Sequence, residues 1–288
     1  MASADSSPST PTPGGDYLGA LGLDSQPFGL APDLRFLVDR HDHREALARV
    51  LFGLSEIGGI VLVTGEIGSG KTILAHTVRR FLDGEGFSVV AVANPPRTPA
   101  ALLAALHEAA GGPEAGGSSA RLSRLLRIRM ERTAAEGRLV VLLVDEAQRL
   151  NAAALEELRL LTNPDEGPGA GLVLLGQPEL TRHVDRLPQV SQRIVVRYHL
   201  GGMDRDELET YLDRRARAAG ASGGLFTTRA ARAIHEESGG VPRVANLLAA
   251  NALFIAASRG QSRVDKDVVK DVIDDRREAR SAAEGIDP

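Results

Sequence analysis

From residue 59 onward, short continuous apolar runs alternate with amphipathic stretches. The runs are GIVLVTG (59–65), FSVVAVA (87–93), RLVVLLVDE (138–146), GLVLLG (171–176) and RIVVRYHL (193–200). They are rich in β-branched residues and lack strict alternation, as in strands buried on both faces of a parallel sheet. Helical spacing fills the gaps, at 43–54, from Lys71 to about Leu82, and at 98–110, 120–137, 151–162 and 178–187. Thr98 and Asn151 are the expected caps of two of these helices, with Pro99 at a first position. Strands alternating with helices predict an α/β fold, a five-stranded parallel sheet flanked by helices. Beyond Met203 the pattern is helical only, with segments at 204–220, 227–238, 242–258 and 265–274, so a small all-helical domain follows.

The first sixteen residues, MASADSSPSTPTPGGD, have no basic or apolar block and are expected to be a disordered tail. The expected division is a tail at 1–16, an α/β core at 17–201, a helical lid at 202–278 and a flexible end at 279–288. No apolar run approaches the ~20 residues of a membrane span. The absence of cysteine excludes disulfides and thiolate chemistry and fits a cytoplasmic setting. A net charge of −4 announces no nucleic-acid partner. With aromatics at 3%, a base-stacking platform is hard to build.

The sharpest signal is GEIGSGKT: Gly65, Glu66, Ile67, Gly68, Ser69, Gly70, Lys71 and Thr72. It follows a predicted strand and opens a predicted helix, the context of a P-loop. Glycines let the backbone curl with its N–H groups inward, and the helix N-terminus favours anions. Lys71 is then the charge for the β/γ-phosphates of ATP, and Thr72 offers its hydroxyl to Mg²⁺. In LVVLLVDEAQ a second apolar strand delivers Asp145 and Glu146 at its C-terminal end, where ligands bind in parallel sheets. Asp145 can hold Mg²⁺ and Glu146 can orient a water, which points to hydrolysis.

Two arginines bear on the kind of nucleotide protein. Arg193 precedes the fifth strand, and Arg243 sits in GGVPR, just after Pro242 opens a helix. A cation there opposes the helix dipole unless an anion lies opposite. Each could otherwise be an ordinary surface or salt-bridged arginine.

Taken in order, HREALARVLFGL, GEIGSGKT, VDEAQRL, LLGQPEL, QRIVVRYHL and GGVPRVANLL resemble the AAA+ ATPases of the general secretion pathway protein A type. The transposon-encoded ATP-binding regulators are related to them. The resemblance spans residues 17–275. It implies a P-loop core with an AAA+ lid, ATP and Mg²⁺ as cofactors, and self-assembly into a ring or filament with ATP at subunit interfaces. It implies Gln177 as the sensor after the fourth strand, Arg193 as a finger acting on a neighbour's ATP, and Arg243 as the lid arginine facing the γ-phosphate. It also implies that QPFGLAPD (26–33) helps wall the adenine. Secretion members continue into a membrane span and a periplasmic peptidoglycan-binding part, and these 288 residues hold neither.

Other groups read more plainly. Arg121, Arg124 and Arg132 fall near one another on a helical wheel, with Arg127 and Arg129 beside them. They could meet duplex DNA phosphates. A solvated face beside Leu122, Leu125 and Leu126 is the preferred reading on charge balance. His41 and His43 lack a third patterned ligand and are expected in a polar loop rather than a metal site. Two functions stay open: an ATPase that assembles or remodels an unidentified protein partner, or an ATP-gated DNA-binding scaffold that recruits one. A monomeric P-loop switch, with Arg193 purely structural, is the third.

Overall fold

The computed structural model describes residues 17–29, 38, 40–57, 59–163 and 169–284. Its helices in chain order are α1 (Tyr17–Ala20), α2 (His41–Phe52), α3 (Lys71–Gly84), α4 (Pro99–Ala109), α5 (Ser119–Ala135), α6 (Ala152–Leu161), α7 (Glu179–Asp185), α8 (Pro188–Ser191), α9 (Arg205–Ala218), α10 (Thr228–Ser238), α11 (Pro242–Ser258) and α12 (Lys266–Glu284). The strands are β1 (Ile60–Gly65), β2 (Phe87–Val92), β3 (Leu139–Val144), β4 (Gly171–Gly176) and β5 (Ile194–Leu200). The chain divides into two compact units, residues 39–201 and residues 1–38 with 202–288.

In the α/β unit the strands pair in the order β2-β3-β4-β1-β5, all parallel. The apolar runs have the expected cause, because the inner strands are covered on both faces. Ile60 and Leu62 face one core, with Leu142, Val144 and Leu174 and helices α4 to α6. Val61 and Val63 face the other, with Leu143, Val173 and helices α2 and α3. The edge strands β2 and β5 are only partly covered. Asn151 caps α6 by accepting from the Ala154 amide at 2.8 Å. Thr98 does not cap α4 with its side chain, and Pro99 at the first position leaves one fewer amide there to satisfy. Two elements went unanticipated. A π-helical turn at Gly53–Ile57 follows α2, and Pro188 starts α8 where one helix was expected to end.

The helical unit packs α9 to α12 around Leu208, Leu212, Ile234, Leu248, Leu253 and Val269. Leu21, Leu23 and Phe28 belong to this core, so the described part of 17–38 groups here and not with the α/β core to which the sequence assigned it. The reason is specific bonding as well as apolar burial. Buried Arg215 donates from Nε to the Pro27 carbonyl at 2.7 Å and from Nη1 to the Tyr211 hydroxyl at 2.7 Å, and the Asp24 amide donates to Ala219. Phe28 of QPFGLAPD is thus a core residue of this unit, and residues 30–33 of that stretch lie outside the described residues. At the other end α12 runs to Glu284, so residues 279–284 are helical where a flexible end was expected. The expected tail at 1–16 and the last four residues lie outside the described residues. No helix among the described residues is long and apolar enough to cross a membrane.

Candidate nucleotide site

The loop 65–70 joins β1 to α3 at the C-terminal end of the sheet. Gly68 and Gly70 take positive φ, 86° and 106°. At Gly70 a side chain is also excluded by space, since a Cβ would lie 2.6 Å from His43 Nε2. His41 and His43 are therefore helical, in the first turn of α2, and His43 is a neighbour of the loop. The Lys71 ammonium is buried and donates to the carbonyls of Gly65 at 2.7 Å and Glu66 at 2.9 Å, drawing the loop ends together. Burial lowers its pKa, against the opposing pull of Glu146, Asp145, Glu66 and Glu179. Ile67 stands out into solvent at 59% exposure.

Thr72 donates its hydroxyl to Oδ2 of Asp145 at 3.0 Å, while Oδ1 accepts the Glu146 amide at 2.8 Å. Asp145 is 4% exposed, and burial raises its pKa above the usual carboxylate range, more than those two hydrogen bonds lower it. A hydroxyl beside a carboxylate is a hard-oxygen pair of the kind Mg²⁺ takes. The loop fits a polyphosphate on its own account. Ser69 Oγ, in a residue 1% exposed, has no hydrogen-bond partner among the described residues.

Glu146 is the only non-glycine residue with positive φ (54°) among the described residues. Such a conformation costs on the order of 1–3 kcal/mol and concentrates at functional sites. It re-aims the carboxylate at the strand end, where Gln148 secures it. Gln148 donates from Nε2 to Glu146 Oε2 at 2.6 Å and accepts the Gln177 amide at Oε1 at 3.1 Å. Gln148 carries no motif in the sequence, and only the fold brings it to Glu146. Gln177 enters through its backbone, on the turn between β4 and α7.

The structure does not bring Arg193 to this cluster. Its carbonyl accepts the Ile60 amide at the start of β1, whereas the loop begins at Gly65, which pairs with Leu200 at the far end of β5. That is roughly 17 Å of strand. The guanidinium donates to Asn163 Oδ1 at 3.1 Å. Arg243 is exposed in the first turn of α11, in the helical unit, with no side-chain hydrogen bond or ion pair among the described residues.

The α5 arginines divide. Arg127 donates to the Leu160 carbonyl near the end of α6 at 2.7 Å, and Arg129 donates to the Ala110 carbonyl at the end of α4. Both neutralise helix C-termini. Arg121, Arg124 and Arg132 are exposed and carry no ion pair among the described residues.

Comparison with known proteins bears on the family and the fold. Residues 54–184 match the AAA domain family. The chain is 37% identical over 253 residues to General secretion pathway protein A of Aeromonas hydrophila, covering 86% of this chain and 46% of that protein. It thus spans about half the length of that relative. Among solved structures it resembles the ORC2 protein of Aeropyrum pernix in ADPNP–ADP complexes, with TM-score 0.64 and 22% identity over 87% of this chain and 71% of that one. It also resembles Drosophila ORC bound to DNA, with TM-score 0.63 and 18% identity over 95% and 69% of the two chains. The Thermotoga maritima RuvB branch migration motor follows, with TM-score 0.53 and 19% identity over 88% and 72%. These three likenesses speak to the fold alone. With its parallel sheet, its phosphate loop, the AAA domain match and the Aeromonas relative together, the chain is an AAA+ protein of the general secretion pathway protein A type.

Proposed function

We propose that the chain binds ATP with Mg²⁺ and hydrolyses it at interfaces between its own copies, to assemble or remodel a protein partner. The observation that carries this reading is the meeting of Thr72 with Asp145 beside a strained, Gln148-held Glu146, next to the Lys71 loop. Mg²⁺, held by Thr72 and Asp145, would neutralise charge on the phosphates. Lys71 and the loop amides bind and orient the triphosphate. Glu146 polarises the attacking water, and Gln148 and the Gln177 turn keep it aimed. Arg193 cannot reach its own chain's loop from the opposite end of β1, which supports a role on a neighbour's ATP. Arg243 is the lid arginine of this reading. A cytoplasmic setting belongs to it too, supported by ATP chemistry and a cysteine-free sequence.

The deciding experiment measures ATPase activity per chain against protein concentration, with Glu146→Gln as the control. Activity should rise with concentration and vanish in the variant. Concentration-independent turnover would return Arg193 to a structural role with Asn163.

A second reading, an ATP-gated scaffold on duplex DNA, is favoured by one observation. With Arg127 and Arg129 bonded at helix ends, Arg121, Arg124 and Arg132 form an exposed basic face on α5 with no ion pair among the described residues. Stimulation by DNA that fades with salt would support it.

A further inference from the structure

Arg40 is 2% exposed, an unusual position for an arginine, and its Nη1 and Nη2 each donate to a backbone carbonyl. Nη1 donates to Ser69 in the phosphate loop at 2.9 Å, and Nη2 donates to Gly201 at 3.2 Å. The Asp42 carboxylate, 3.7 Å away, balances the charge. The two places bonded to Arg40 are not equivalent. Ser69 lies between the glycines that shape the loop. Gly201 is the last residue of the α/β unit, and Arg40 itself stands one residue inside the point where the chain enters that unit. One guanidinium therefore joins the phosphate loop to both chain crossings.

The path continues along the chain. The Met203 amide donates to the Gly240 carbonyl at 2.9 Å. A Cβ on Gly202 would overlap the Gly239 carbonyl, and one on Gly240, whose φ is 74°, would overlap the Met203 backbone. Backbone thus packs on backbone, and no side chain is present to take up slack. The turn reached in this way is GGVPR, which opens α11 and carries Arg243. A coupling path needs contiguous elements, and each link here is a hydrogen bond, a peptide bond or a close backbone contact.

We propose that Arg40 is a positioning residue that holds the phosphate loop through Ser69 and passes its occupancy to the Gly201–Gly202 crossing and the Gly239–Gly240 turn. The proposal rests on the nucleotide reading above. Arginine suits the task because its planar fork sends two separate nitrogens to carbonyls in fixed directions, whereas a lysine would bring both bonds to one freely rotating nitrogen.

Hydrogen exchange on the full chain tests it, using a non-hydrolysable ATP analogue with Mg²⁺. In the parent, the analogue should slow exchange in peptides covering 65–72 and in those covering 200–203. In Arg40→Met the first response should persist, with affinity weakened about tenfold, while the second disappears. Arg40→Lys keeps the charge without the fork and should lose the second response as well. It decides alone if the Met variant does not fold. A 200–203 response that survives in either folded variant, or that never occurs in a parent whose loop does respond, overturns the relay. A parent whose 65–72 peptides ignore the analogue overturns the nucleotide reading itself.

Discussion

Thr72, on the first turn of α3, donates its hydroxyl to Asp145, which lies 73 residues later at the end of β3, across 3.0 Å. That single bond ties the phosphate loop to the end of β3, where Glu146 follows.

Burial holds the Asp145 carboxyl above its usual pKa. The folded state then keeps that proton to higher pH than the unfolded state. The stability it contributes is present below the ordinary carboxylate range and is lost as pH rises through the raised value. At neutral pH the charged form is a burden, so Asp145→Asn should raise Tm. The gain should shrink as pH falls into the carboxylate range. The amide can still accept from Glu146 and reach Thr72, yet ATPase activity should be lost if Asp145 holds Mg²⁺ as proposed. Thermal melts at several pH values and a turnover assay check both halves.

Gln148→Ala removes the grip on Glu146 and on the Gln177 amide. Turnover should fall roughly 10- to 100-fold, the usual effect of losing an orienting partner, with nucleotide affinity little changed. Steady-state kinetics beside equilibrium nucleotide binding separate the two. A matching loss of affinity would mean that Gln148 shapes the loop instead.

Arg193→Ala should reduce turnover by about 10³-fold, the lower range for arginine fingers. Mixed with Lys71→Ala, it should regain part of that activity, because each inactive chain supplies what the other lacks. The mixing curve is the measurement. A flat curve assigns Arg193 to its Asn163 contact alone.

For the DNA reading, replacing Arg121, Arg124 and Arg132 with Gln should flatten the dependence of log K on log salt by about 2–3, near 0.9 per lost phosphate contact. Replacing Arg127 or Arg129 should instead lower Tm, because their donors serve helix ends inside the fold. DNA titrations across a salt series, with melts, tell these apart.

Much of the site was legible in one dimension. A P-loop is a local object: strand, glycines, Lys71 and Thr72 are contiguous, so their chemistry survives as a string. Asp145 and Glu146 were legible because a buried parallel strand announces its own C-terminal end. Gln148 was not, since glutamine after a strand says nothing until the backbone of Glu146 turns left-handed and brings its carboxylate within 2.6 Å. Of the five α5 arginines, periodicity grouped three on one face. Only packing showed that Arg127 and Arg129 end on the carbonyls of other helices.

Local sequence alone specifies the five parallel strands, the helical unit after Met203 and the phosphate loop. Each of these depends on neighbours within a few residues or on unbroken apolar runs. Tertiary structure alone decided that residues 17–29 group with the helical unit, that Arg193 stands at the opposite end of β1 from the loop, and that buried Arg40 bonds Ser69 to Gly201. The last of these spans 161 residues between Arg40 and Gly201. The partners of a buried charge are set by which carbonyls the fold leaves within its reach, and no local pattern encodes that.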